Sequence, residues 1–475
     1  MTTPTPIPKH DDPFRRCMAL QFAGCIRDEA DLYSRLEFVQ DDIVTAVDLS
    51  MNQCVRASPN LHRFLQRLPM DDQRNCTAIN LSETSVDTTT LEILFSVVRS
   101  SPSIARLVVS SIRGTVDWTS ATAALGRAVE SSTSITELDV SQNDIGAAAT
   151  GLVASIGKTS STQLTALRLF AVGLTDDALP HLSRLESVTD LDIGGNTCNL
   201  SSVAWEHMAA LKFLSLRESA AVGSLSGLIG CPLLHKLDLT NTPLSDEGLH
   251  NVCALVRKST SLERLRICAD ESQVTSLVEA ISQNSSLSME LNVAESALTA
   301  IGSVVDGSEE ADSLWTKFSR RVLKIQNVSL RDCGLGPLHI EELVRSFYEL
   351  DNSTTATVQQ LDLFGNPLGD DGADWAAELL ALPCVKTAKL GNNSISDGTP
   401  MCEALRARLN TVGPIDAELC GTGARGNHFS REQLQWLAKV GVKDATASNT
   451  GTFNTSAAPF LPVDIAMRPF GQTSS

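Results

Sequence analysis

The 475-residue chain has no apolar run approaching the roughly 20 residues that a membrane-crossing helix needs. It is also short of positive charge: 38 Lys and Arg stand against 56 Asp and Glu, a formal net charge of −18. A general nucleic-acid or anionic-membrane binder needs a basic surface that releases counterions, and this balance argues against both. Residues 1–12 are polar and Pro/Thr-rich and lack the apolar core of a secretory signal. Arg15, Arg16 and Arg27 flank an apolar stretch in the manner of a mitochondrial address, and Asp11, Asp12 and Asp28 weaken that reading. The expected compartment is the cytoplasm, with the nucleus or a cytoskeletal association as alternatives.

Motifs that carry chemistry are missing as well. The twelve cysteines include no CxxC and no Cys/His spacing of a zinc site, so they read as free thiols serving as small apolar side chains. Neither a metal nor a cofactor is expected. There is no GxSxG and no HExxH, and the eight histidines are scattered. Gly157-Lys158-Thr159 hints at a phosphate loop, but Leu152 stands where the motif needs its first glycine, and the segment closes a helix. Gly421, Gly423 and Gly426 form a GxGxxG that no second parallel strand follows. The N-x-[ST] triplets at Asn80 and Asn327 fall inside expected strands and read as chance. No catalytic residue is assigned, and a non-enzymatic protein is expected.

What the chain does have is a repeat. Ile135-Thr-Glu-Leu138-Asp-Val140-Ser-Gln-Asn143 recurs as Val188-Thr-Asp-Leu191-Asp-Ile193-Gly-Gly-Asn196 and again as Val358-Gln-Gln-Leu361-Asp-Leu363-Phe-Gly-Asn366. The first member of each central L-x-L pair falls at Val47, Ile79, Leu107, Leu138, Leu167, Leu191, Leu214, Leu237, Leu265, Leu291, Val328, Leu361, Ala388 and Ile415, a mean period of about 28 residues. The L-x-L alternation predicts a short strand with its leucines on one face and the x residues on the other. Five residues on stands Asn52, Asn143, Asn196, Asn366 or Asn393, and elsewhere a small polar residue or Cys333 or Cys420, with Ile112 and Val172 breaking the series; such polar side chains can bond backbone that has no sheet partner where the chain turns. Helical patterns follow, as in the segment opened by Ser245 with Asp246 and Glu247 in its first turn. One strand and one helix cannot bury their own apolar faces, so the units must stack.

This pattern resembles the leucine-rich repeat proteins of the ribonuclease-inhibitor-like group. The resemblance spans about residues 44–420. It implies an α/β horseshoe solenoid of about 13–14 repeats, with a concave parallel β-sheet and helices on the convex side. Residues 1–43 are expected to form a disordered start and a helical N-terminal cap, 44–420 the repeat domain, 421–441 a C-terminal capping helix and 442–475 a disordered tail. The units from Leu167, Leu191 and Leu214 are short, with room for one or two helical turns; the unit from Leu291 is long and reads as holding an insertion over residues 302–324.

The implied function is a protein-interaction scaffold that takes a protein partner on the concave face, acting as a monomer. Outward positions in the middle of the array bring together Arg168, Phe170, Phe213, Arg217, Lys236, Arg264, Arg266 and Arg331. Adjacent strands are about 4.8 Å apart, so these residues are expected to form a locally basic patch on an acidic chain. Its partner would be an acidic protein segment bound through bidentate arginine contacts. The bland alternative is a solvated sheet whose cations pair with Asp190, Asp192 and Asp238. Two other readings stand beside the scaffold. Arg113, after the strand at Leu107, sits where Ran GTPase activators of similar fold carry an arginine, although their acidic C-terminal tract is missing here. A substrate-recruiting ubiquitin-ligase subunit is the other, although residues 14–43 lack the Leu-Pro start of an F-box.

Overall fold

A computed structural model describes residues 17–38, 43–68, 76–158, 163–220, 222–301, 313–351, 356–421 and 425–442. The expected disordered start lies outside them, as does all but Val442 of the expected tail. The chain falls into two compact units, with the change at Leu211 and Lys212.

The first unit carries strands β1 (Cys17–Gln21), β2 (Ile43–Asp48), β3 (Ala78–Asn80), β4 (Arg106–Val108), β5 (Glu137–Asp139), β6 (Ala166–Arg168) and β7 (Asp190–Asp192), each pairing parallel with the next. The second carries β8 (Phe213–Ser215), β9 (Lys236–Leu239), β10 (Arg264–Ile267), β11 (Glu290–Asn292), β12 (Asn327–Ser329), β13 (Gln360–Asp362), β14 (Thr387–Lys389) and β15 (Asp416–Glu418), again parallel and in chain order. This is the α/β leucine-rich repeat architecture: one strand per repeat, and a helical segment that returns the chain to the same edge.

Both leucines of each L-x-L pair point into the core. Leu138, Val140, Leu237 and Leu239 are fully buried, as are Val252 and Val256 of the helix Asp246–Lys258. Full burial of one such side chain is worth about 1.5–3 kcal/mol. The short repeats hold what their length allows: 3₁₀ turns at Asp176–Ala178, Leu200–Ser202, Trp205–His207 and Ser226–Gly230, with one four-residue helix, Leu179–Leu182.

Three features depart from the sequence reading. The expected helical cap contains β1 as well as the helix Glu29–Phe38, because the exposed edge of β2 takes a strand partner and the Asp48 and Ser50 carbonyls accept from Phe22 and Gly24. The segment 313–324 is not inserted: Leu314–Val322 is this repeat's own helix and buries Trp315 and Phe318, while residues 302–312 lie outside the described ones. In the last repeat the inward residue opposite Ala388 is Ala417, not Ile415. An even shift keeps the same face inward, so a weak pattern leaves such a slip unmarked.

The buried amides hold neighbouring repeats together. Asn366 Nδ2 donates to the carbonyls of Leu330 (2.9 Å) and Leu363 (2.8 Å), and its Oδ1 accepts from the N–H groups of Cys333 (3.1 Å) and Leu335 (3.0 Å). Asn52, Asn143 and Asn196 make the same kind of bonds. Cys333 fills the position as expected. Its thiol, pushed up to about 12 by burial, donates to the Val293 carbonyl at 3.2 Å as an amide would. Cys420 does not fill it; Asn427, arriving from the following loop, bonds Leu390 and Leu419 through Nδ2 and Asn393 and Ile395 through Oδ1. Changing Asn366 to Leu strands four buried backbone groups at about 1 kcal/mol or more each. The unit should lose at least about 3 kcal/mol in urea unfolding, and a loss under about 1 kcal/mol would mean that water replaces the amide.

Gly248 marks a close approach. A Cβ there would lie 2.4 Å from the Gly223 carbonyl oxygen, at the helix start where Ser245 Oγ accepts the Gly248 N–H at 3.1 Å. Alanine would gain about 1 kcal/mol in helix propensity, yet overpacking against backbone costs about 1–3 kcal/mol or more. Gly248→Ala should therefore lower the denaturation midpoint; a rise would show that the two segments part freely.

Candidate functional site

The x residues of L-x-L face away from the core, so the strand register orders them into rows. In the second unit the first row runs Phe213, Lys236, Arg264, Glu290, Asn327, Gln360, Thr387 and Asp416. The second runs Ser215, Asp238, Arg266, Asn292, Ser329, Asp362, Lys389 and Glu418. Between β11 and β14 the surface dips into a depression of about 150 Å³ lined by Glu290, Asn292, Asn327, Ser329, Gln360 and Thr387 among others. Leu291, Val328 and Leu361 also line it, with Asp362 and Lys389 at its side, so its lining is mixed.

The basic patch forms only in part. Arg266 lies between Glu290 (2.6 Å) and Asp238 (3.6 Å), so its guanidinium is taken up within the sheet. Arg168 pairs with Asp190 at 3.3 Å. Arg331 reaches Asp332 at 3.1 Å and stacks over the Phe364 ring, 4.2 Å from its centroid. Arg217 is half-buried and has a partner. Lys236 and Arg264 sit side by side in the register, half-exposed, with no ion pair among the described residues. Phe213 is 38% exposed beside them, and its ring centroid is 6.5 Å from that of His235. Phe170 is not on this surface: it is buried, because the strand ends there and the glycine at Gly195 admits its ring, whose edge would touch any Cβ at 3.0 Å. Arg113 is held by Glu83 at 2.8 Å across the repeat boundary.

The acids of the second row have a role that charge counting misses. Asp48, Asn80, Asp139, Asp192, Asp238, Asn292 and Asp362 each accept, through Oδ1, the backbone N–H two residues on, at 2.9–3.1 Å. That N–H lies just past the strand, beyond the reach of the preceding one. Where Val108 or Arg168 occupies the position, the preceding repeat's serine accepts instead: Ser82 Oγ from Ser110 (3.4 Å) and Ser141 Oγ from Phe170 (3.2 Å). The recurrence of Asp or Asn at one repeat position was the available signal. Asp48→Asn should therefore unfold within about 0.5 kcal/mol of the parent, while Asp48→Ala should lose about 1–2 kcal/mol. Equal losses would show that the charge, and not the cap, is what matters.

Among the described residues no cluster of His, Cys, Asp or Glu could hold a metal ion, and no helix is long and apolar enough to cross a membrane. The eleven described cysteines whose side chains are placed are free thiols.

With this geometry in hand, comparison with known proteins is direct. A leucine-rich repeat family model matches residues 131–149, 230–253 and 356–374. The chain is 26% identical over 338 residues to human NACHT, LRR and PYD domains-containing protein 12, covering 67% of this chain and 30% of that protein. It is 26% identical over 238 residues to the pig (Sus scrofa) ribonuclease inhibitor, covering 48% of each. The matches thus span under a third of the first relative and about half of the second. An internalin from Listeria monocytogenes superposes with a TM-score of 0.41 at 13% identity, over 85% of this chain and 87% of that one. Three stretches of the chain thus match the leucine-rich repeat model, and the chain is similar to leucine-rich repeat proteins. Its likeness to the ribonuclease inhibitor supports a repeat of the ribonuclease-inhibitor-like kind, and leucine-rich repeat proteins serve in general as protein-interaction scaffolds.

Proposed function

We propose that the protein is a non-enzymatic scaffold that binds a protein partner on the open face of the sheet in its second unit. The observation that carries this reading is the division of labour on that face. The capping acids and the bridged Arg266 serve the fold, while Lys236, Arg264, Phe213 and the depression between β11 and β14 are left to solvent. A preorganised surface with few anchors suits protein recognition, since affinity rests on a handful of residues and little ordering of the scaffold is needed. The pig relative is an inhibitor of ribonuclease, itself a protein. Nothing in the structure favours the GTPase-regulator reading, because Arg113 is bridged to Glu83.

Affinity capture with the full chain, followed by quantitative mass spectrometry, tests this. The partner should be recovered by the parent chain and by Glu403→Lys, an exposed change on the helix Thr399–Thr411. It should be lost with Arg264→Glu combined with Gln360→Lys. Capture that survives the sheet variant and fails with the helix variant would move the binding site off the sheet.

A further inference from the structure

We infer that the start of β8–β10 is the anchor for an acidic linear segment that carries one bulky apolar side chain; the inference rests on the scaffold reading and names its partner. Phe213, 38% exposed, opens β8, its ring tilted 46° to that of His235 at 6.5 Å between centroids. Leu233, two residues before His235, is 44% exposed. The outward rows of this sheet are otherwise mainly polar, so these side chains form an apolar spot where a segment crossing the strands would enter.

Cations stand next to it. Lys236 is the register partner of Phe213, and Arg264 that of Lys236, so they lie about 5 and 10 Å along the sheet. Lys212 precedes Phe213 and is exposed. None of the three has an ion pair among the described residues, whereas the neighbouring Arg266 has two carboxylates. Of the carboxylates beside them, Glu290 is bridged to Arg266 and Glu263 has no ion pair among the described residues, leaving three cations against one unpaired acid. That excess is far too small for a polyanion such as a nucleic acid, which engages several phosphates at once. It is enough for two or three carboxylates, with Arg264 offering a bidentate fork.

The register also limits the segment. Glu290 follows Arg264 in the row, and beyond it come Asn327 and Gln360. Acidic residues are therefore favoured only over β9 and β10, about 5 Å apart, the reach of about two extended residues. Past them the partner should be polar and uncharged. The expected motif is a large apolar residue, two or three Asp or Glu, then polar residues, lying across the strands.

A random peptide-display library of about twelve residues, long enough to cross these strands, should enrich this motif when panned on the full chain. A fluorescent copy of an enriched peptide should weaken about tenfold on Phe213→Ala and again on Arg264→Glu, the scale of one good contact each. It should also weaken with rising salt. Circular dichroism melting confirms that the variants fold. A basic or uncharged consensus, or an acidic peptide indifferent to both changes, overturns the inference. If such peptides are instead lost on Gln360→Lys, the scaffold reading survives and only the anchor falls; if no peptide is enriched, a linear partner is excluded while the capture experiment stands on its own.

Discussion

Stacked parallel strands of three or four residues end almost as soon as they begin, and every end leaves backbone polar groups that the sheet cannot satisfy. That constraint governs this molecule. Buried amides such as Asn366 and Asn427 close one gap by bonding two repeats at once. The acids of the second row close another within their own repeat. At the opposite edge Ser134, Ser261 and Ser286 donate to carbonyls of the repeat before. Where serine gives way, the buried guanidinium of Arg408 donates to the Leu380 and Val385 carbonyls (and to Leu382), and burial lowers its pKa. Unpaired, each such group would cost about 1–3 kcal/mol, so the polar residues are as much part of the core as the leucines.

The same constraint decides which residues remain for recognition. Met51, Glu83, Ser111 and Gln142 are held at φ of 53–60° just before the ladder position, although a left-handed conformation costs an ordinary residue about 1 kcal/mol. Their N–H groups bond the next repeat, as that of Met51 does to the Ser82 carbonyl. The turn geometry is thus imposed by the stack and tolerates many side chains. Surface chemistry can vary at the outward rows while the backbone stays fixed, which is what a scaffold requires. In the first row Asn327 donates to the Met289 carbonyl, whereas Phe213, Arg264 and Gln360 make no side-chain bond to the backbone among the described residues.

Much of this was legible in the residues, for a physical reason. L-x-L alternation and the recurring amide are local and repeated, so each copy supports the others, and the strands at Leu138, Leu237 and Leu361 fall where the pattern puts them. β1 was not legible, because Cys17–Gln21 has neither the paired leucines nor the amide; it forms as a cover for the edge of β2. The last repeat was misread by two residues because Ala417 gives little apolar signal, and Asn427 was then counted outside the ladder. The basic patch was half right. Composition along the strands finds the cations, but their freedom depends on which acid the register sets beside each. Glu290 lies next to Arg264 in the row, yet its carboxylate goes to Arg266.

That last detail bears on how an acidic chain can present a basic surface. At a net charge of −18, carboxylates outnumber cations, and exposed ion pairs of this kind add little to stability. Their effect is to remove charge from the surface. Arg168, Arg266 and Arg331 are neutralised in this way, and what remains is local: Lys212, Lys236 and Arg264 around an exposed ring. A small positive spot in a negative field repels long polyanions while still admitting a few carboxylates, because screening confines attraction to about a Debye length of 8–10 Å. Selectivity would then come from the spacing between the ring and the two register-paired cations, a distance that the ladder of buried amides keeps fixed.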